Sequence, residues 1–246
     1  MSKPELQLIQ PGDPIHFNDV EMALNDSTDF EGLLAIGGDL SPARVAAAYR
    51  RGIFPWFSEG EEILWWAPNP RAVLLPAEFS CSRSLAKVLR KNRFQVSVNQ
   101  SFDKVIGQCA ALRANSGTWI TEEMLMTYRQ LHRQGAAHSV ETWFDDKLVG
   151  GLYGIRIGSV FFGESMFSTV SDASKVALAM LVRLCEDSGI PLIDCQQPSA
   201  HLSRLGSRLI KRQRLSEILA ENVDRQPDNP DWSSPARATG SWLVPE

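Results

Sequence analysis

The stretch "HSVETWFDDKLVGGLYGIRIGSVFFGES", residues 138–165, reads as three strands in succession. Two short polar turns, Asp145-Asp146-Lys147 and 156–159, divide it into 138–144, 147–155 and 159–165. Turns this short leave no room for a crossover, so the pattern predicts an antiparallel meander. Working outward, 71–76 and 94–99 read as strands, and 82–93, 102–113 and 122–134 as helices. Residues 173–188 form a helix that is apolar nearly all round and therefore buried. Residues 190–196 then return as a strand, and 215–223 form a late helix. Strand and helix types mixed in this way predict an α+β chain: a mixed, largely antiparallel sheet flanked by helices.

The ends read differently. Residues 1–30 are polar and turn-rich. Asp39 or Ser41 can cap a helix with Pro42 at its first position, and Gly52 stops it. Pro68 and Pro70 mark a seam, so the expected organisation is a small N-terminal domain over 1–69 and a larger one over 70–246. The tail after 223 is rich in Pro and Asp and is expected to be irregular.

The 246 residues carry a net charge of −4, which argues against wholesale coating of nucleic acid but allows a local basic patch. No run approaches the roughly 18 apolar residues of a membrane helix, and the first residues lack a signal-peptide core. Four scattered cysteines with no CxxC pair fit reduced thiols. The expected compartment is the cytoplasm, with no membrane partner.

Three stretches could carry chemistry. The first is the helix 82–93. Arg83, Lys87, Arg90 and Lys91 fall on one face, Leu85, Val88 and Leu89 on the other, and the helix holds no acid. Charged faces usually mix signs, so this one favours a phosphate backbone over mere solvation. The second is "FFGESMFS", residues 161–168. Side chains alternate across a strand, so Phe161 and Gly163 face one way, Phe162 and Glu164 the other. Glu164 either leaves the sheet for solvent or sits in a pocket with aromatic and thioether walls. The third is "LIDCQ", residues 192–196. Period-two alternation puts Asp194 and Gln196 on one face and Ile193 and Cys195 on the other. No His is placed locally as a base for Cys195, which disfavours a Cys–His enzyme. Trp56, Trp65, Trp66 and Trp119 could stack on unpaired bases or pack a core.

Together "GGDLSPARVAAAYRRGIFPWF", "ILWWAPNPRAVLLP", "GTWIT", "FFGESMFS", "ASKVAL" and "LIDCQ" resemble the leucyl/phenylalanyl-tRNA–protein transferases, in family order and from about Leu33 to about Leu205. The resemblance implies a small N-terminal domain followed by a domain similar to the GNAT acyltransferases. It implies transfer of Leu or Phe, and less well Met, from aminoacyl-tRNA to the α-amino group of proteins beginning with Arg or Lys, marking them for N-end-rule degradation. No metal and no cofactor are implied. Carried over by position, Asp194 and Gln196 are the catalytic pair. Phe161, Glu164, Met166, Leu178, Leu181 and Ile193 line the aminoacyl pocket. Trp56 and Trp119 lie near the tRNA 3′ adenosine with Tyr128 close by, and Arg83, Lys87 and Arg90 touch the acceptor stem.

An aminoacyl ester is already activated, so the enzyme must hold a neutral amine against its carbonyl. Peptide N-termini titrate at about pH 8, and no strong base is required. An amide oxygen accepts a hydrogen bond but is a poor proton base, so Gln196 is expected to orient the amine. On that view Gln196→Glu should retain part of the activity. Asp194 is expected to hold the Gln196 amide, to attract the cationic N-terminal residue, or to take the final proton. Two rivals stand. A CoA-dependent N-acetyltransferase would need a glycine-rich turn before the helix at 173, where the chain reads "STVSDASK". A noncatalytic RNA-binding protein would explain the basic helix but not "DCQ".

Overall fold

A computed structural model describes residues 4–25, 30–113 and 120–240. In chain order the elements are β1 Gln7–Ile9, β2 Leu33–Gly37, α1 Pro42–Tyr49, β3 Phe54–Pro55, β4 Leu64–Trp66, β5 Arg71–Leu74, α2 Arg83–Arg90, β6 Gln95–Val98, α3 Phe102–Arg113, α4 Glu122–Arg133, β7 Ala137–Phe144, β8 Lys147–Ile157, β9 Val160–Ser168, α5 Ala173–Asp187, β10 Leu192–Gln196, α6 Ala200–Ser203, β11 Arg208–Ile210, α7 Arg212–Asn222 and β12 Ser234–Ala238.

The strands form two sheets. The smaller runs β1-β2-β4-β3, and the larger runs β11-β5-β10-β9-β8-β7-β6-β12. In the larger sheet β9 and β10 are parallel and every other neighbouring pair is antiparallel. The parallel pair is the one joined by a long helix, α5, as a parallel crossover requires. The chain is thus α+β with a mixed, largely antiparallel sheet. The meander β7-β8-β9 forms as its turns predict: Asp145 and Asp146 both take positive φ, the backbone that lets a two-residue hairpin follow the strand twist.

Helix ends follow local chemistry. Ser41 caps α1 by accepting from the Arg44 N–H, with Pro42 in the first turn, and Asp39 instead accepts from the Ser41 N–H and the Arg44 guanidinium. Gly52, at φ +73°, reverses the chain after α1, and α7 packs so closely over it that a Cβ would touch Leu215 and Leu219 at 3.1 Å. α2 is amphipathic as read: Leu85 and Leu89 are buried, while Arg83, Lys87, Arg90 and Lys91 are exposed.

Apolar side chains cluster on both faces of the larger sheet. One cluster holds Tyr49, Trp65, Phe102, Tyr128, Tyr153 and Phe162, drawing on α1, α3, α4, α7 and the smaller sheet. The other holds Leu85, Phe161, Leu178, Leu181, Ile193 and Trp232, drawing on α2, α5 and the tail. Burial of these faces is what orders the two layers around the sheet.

Two expectations are corrected. The first residues are not merely turn-rich: β1 pairs in parallel with β2, and Phe17 is buried edge-on to Trp65 at 5.0 Å. The described tail is irregular over 224–233, as expected, but then forms a strand. β12 extends the sheet beside β6, and Trp232, 2% exposed, donates its indole N–H to Ser188 Oγ at 2.9 Å. A polar, proline-rich composition conceals one large apolar anchor, whose burial acts with the β12–β6 pairing to order the tail.

Candidate active site

β9 and β10 pair only as far as Phe162 and Asp194. Beyond that point both strands bulge. On β9, Gly163 and Ser165 face consecutive residues of β8, which leaves Glu164 as the extra residue. On β10, Asp194 and Gln196 face consecutive residues of β5, which leaves Cys195 extra. The two strands therefore part, and a Cβ placed on Gly163 would meet nothing closer than the Asp194 carbonyl oxygen at 3.7 Å.

Polar side chains converge on one side of this gap. Glu164 Oε1 accepts from the Tyr49 hydroxyl at 2.6 Å and from Gln196 Nε2 at 3.1 Å. Its Oε2 accepts from the Tyr128 hydroxyl at 2.8 Å, and the two tyrosine oxygens lie 2.8 Å apart. Asp194 Oδ1 accepts from Arg71 Nε at 2.8 Å, Oδ2 from Arg71 Nη2 at 2.8 Å, and Oδ1 also takes the Gln196 backbone N–H at 2.9 Å. Arg71 and Asp194 are both 0% exposed, so each compensates the other's loss of water, and removing either would leave a buried partner unpaired. The Arg71 guanidinium carbon lies 4.7 Å from the centre of the Phe54 ring.

This geometry decides the role of each group. Glu164 is not a surface exit. Burial pushes its carboxyl up from 4.5 to about 7, against the two tyrosine hydrogen bonds that favour its anion, and nearby Asp194 adds to the rise. The same burial, with Glu164 beside them, holds the Tyr49 and Tyr128 hydroxyls well above their ordinary range, so both donate. The Cys195 thiol is pushed up to about 12 by desolvation and then by Asp194, and packs towards α5; it supplies no thiolate. Gln196 takes φ +56°, so it is a bend in the chain rather than the next step of a regular strand. Its amide nitrogen is committed to Glu164, while its Oε1 has no partner among the described residues.

One expectation changes as a result. Glu164, and not Asp194, holds the Gln196 amide; Asp194 holds the backbone. With both oxygens bonded and no exposure, Asp194 is also closed to the cationic residue of an incoming protein.

The remaining expected residues fall in three places. Phe161, Leu178, Leu181 and Ile193 are buried on the α5 side of the sheet with Met166 packed against them, across the sheet from Glu164. Phe161 also stacks on Trp232 at 5.6 Å. Tyr128 is buried against Tyr153 and presents its hydroxyl, not a ring face, to the site. Trp56 is 43% exposed beside Trp66, and Arg83, Lys87 and Arg90 lie on the exposed face of α2. Trp119 lies outside the described residues. Tyr49 and Arg71 were not anticipated. Arg71 carried a signal: a cation opening the apolar strand "RAVL" demands a buried acid, and "LIDCQ" supplies one.

The start of α5 bears on the acetyltransferase rival. Asp172 stands at its N-cap, in the left-handed region, and pairs with Lys175 at 2.7 Å. Its side chain caps no helix N–H, the Ser174 N–H goes to Ser168 Oγ at 3.4 Å, and no glycine opens the helix for a pyrophosphate. Among the described residues, no helix is long and apolar enough to cross a membrane.

Comparison with known proteins places this site in a family context. The family model described as "Leucyl/phenylalanyl-tRNA protein transferase" matches residues 73–220, and the model of that family's N-terminal domain matches 38–69. A protein named leucyl/phenylalanyl-tRNA–protein transferase from Nitrosomonas eutropha is 55% identical over 202 residues, 82% of this chain and 86% of that one. Its namesake from Pseudomonas fluorescens is 53% identical over 217 residues, 88% of this chain and 94% of that one. Glu164, Asp194 and Gln196 lie within the matched span; Trp232 and β12 lie beyond it.

Proposed function

The chain belongs to the leucyl/phenylalanyl-tRNA–protein transferases, enzymes that act on aminoacyl-tRNA and protein, and from that premise we propose that the gap between β9 and β10 is where the aminoacyl ester meets the acceptor amine. The reaction joins the amine nitrogen to the ester carbonyl carbon. The carbon–oxygen bond to the tRNA ribose breaks, and one proton passes from the amine to the leaving ribose oxygen.

One observation carries the proposal: the uncommitted Gln196 Oε1. With its nitrogen bonded to Glu164, the amide offers an acceptor oxygen at the point where the strands part. An N–H of the incoming amine donates to that oxygen, which turns the nitrogen lone pair towards the ester. Glu164 fixes the amide against rotation, and Tyr49 and Tyr128 fix Glu164. Much of the rate then comes from orientation, since the ester needs no further activation. Phe161, Met166, Leu178, Leu181 and Ile193 line the apolar side for Leu or Phe. Discrimination among apolar side chains of similar size is worth about 1–3 kcal/mol, so Met is transferred less well but not excluded. Trp56 stacks the terminal base, and the α2 cations track the acceptor stem. The acceptors are proteins with N-terminal Arg or Lys, and the products enter N-end-rule degradation.

The test is direct. Purified protein is incubated with labelled Phe-tRNA and either an Arg-initiated or an Ala-initiated peptide. Extension of the Arg peptide by one Phe, and little of the Ala peptide, is expected. No extension of either would overturn the assignment, and equal extension of both would overturn the acceptor specificity.

A further inference from the structure

Gln196 is held in a conformation that a residue with a side chain does not keep unaided. At φ +56° its Cβ crowds the following carbonyl, and such a residue persists only where its surroundings fix it from several directions. The Gln197 N–H closes on the Cys195 carbonyl at 2.7 Å, a three-residue turn centred on Gln196 and of the strained hand. Two anchors hold the turn. One is the bond from the side-chain amide to Glu164. The other is the bond from the backbone N–H to Asp194 Oδ1, at 2.9 Å. Asp194 in turn cannot rotate, because Arg71 grips both its oxygens with the bidentate fork that only Arg provides. The two residues sit on neighbouring strands, β5 and β10, 123 positions apart in the chain.

We infer that Arg71 is a positioning residue for the transfer reaction: through Asp194 it locks the turn at Gln196 and so sets the direction of Gln196 Oε1. The inference rests on the proposal that this oxygen receives the attacking amine. It gives Asp194 a mechanical part. A carboxylate with no exposure and both oxygens bonded neither collects the reaction's proton nor draws in a cation. A pair that served packing alone would need no third bond to a strained neighbour.

Arg71→Lys keeps the charge and loses the fork. Asp194→Asn keeps an oxygen for the Gln196 N–H and loses the anion; Asp194→Ala loses both. For Phe transfer from Phe-tRNA to an Arg-initiated peptide, Arg71→Lys is expected to lower kcat tenfold to a hundredfold. KM for Phe-tRNA should stay within twofold, and the pH at which the rate turns over should not move. Asp194→Asn is expected to keep at least ten times the kcat of Asp194→Ala. A crystal structure of Arg71→Lys should show residue 196 out of the positive-φ region or its amide turned from Glu164. Wild-type kcat in Arg71→Lys overturns the inference. So does Asp194→Asn as inactive as Asp194→Ala, or a lost kcat with Gln196 unmoved. If Arg71→Lys does not fold, the near-isosteric Asp194→Asn carries the same comparison. A wild-type protein that transfers no Phe refutes the proposed function instead, and the crystal structure still decides whether Arg71 sets the turn.

Discussion

Glu164→Gln should change how stability depends on pH, and the size follows from the site. Burial raises the Glu164 carboxyl from 4.5 in the unfolded chain to about 7 in the folded one. The folded protein therefore holds this proton more tightly than the unfolded chain does. Below about pH 4.5 both states are protonated and the group contributes nothing to the difference. As pH rises towards 7 the unfolded chain ionises first, and the folded state is progressively disfavoured. With those two values, linkage gives a penalty of about 1 kcal/mol at pH 5, about 2 at pH 6 and about 3 at pH 8. Glutamine at 164 removes the titration and keeps the shape. The one acceptor oxygen that it lacks, out of the two that bond Tyr49 and Tyr128, adds an offset that does not vary with pH. The stability of Glu164→Gln minus that of wild type should thus grow in favour of the variant by about 2–3 kcal/mol between pH 5 and pH 8. Urea unfolding of both proteins at half-unit pH steps measures it, and other titrating groups cancel in the difference. A difference that stays flat over that range would refute the reasoning, since it would make Glu164 an ordinary ionised carboxylate.

Four further outcomes are expected. Tyr49→Phe removes a hydrogen bond that favours the Glu164 anion, so in that background the same difference should begin near the same pH but climb further and level off at higher pH. Trp232→Ala should cost about 3–5 kcal/mol in chemical denaturation, because the indole is 2% exposed and packed on Phe161; a loss below about 1 would detach the tail from the fold. Replacing Arg83, Lys87 and Arg90 together by Ala should raise KM for aminoacyl-tRNA and lower the slope of log affinity against log salt by about 2–3, with melting temperature unchanged. The exchange Glu164→Gln with Gln196→Glu restores one donor facing one acceptor, so the double variant should transfer Phe at least tenfold faster than Gln196→Glu alone.

What could be seen in the sequence depended on length and repetition. β7, β8 and β9 run for eight, eleven and nine residues, enough for alternation and turn residues to declare themselves. The smaller sheet was invisible because β1, β3 and β4 have three, two and three residues. Its coherence comes from contacts that no period records, such as the Trp65 indole N–H donating to the Gly37 carbonyl at 2.9 Å. The tail was legible as an irregular segment over 224–233, but its composition did not disclose β12 or the buried Trp232.

At the site, strand alternation separated Asp194 and Gln196 from Cys195, and in the structure they do diverge. Alternation could not foresee why. Gln196 reaches Glu164 because two bulges and a positive φ bend both strands out of register, and bulges leave no period to read. That changes what a substitution means. Viewed along the chain alone, Gln196→Glu is mild, since it keeps an acceptor oxygen for the amine. In the folded protein the amide it replaces donates to a carboxylate at 3.1 Å. Glutamate there deletes the donor and sets two carboxylates against each other in a largely desolvated site, which favours one of them taking a proton. Loss of activity in Gln196→Glu would then report on Glu164 as much as on the amine. Orientation by the amide oxygen is tested cleanly only when the partner at 164 changes with it.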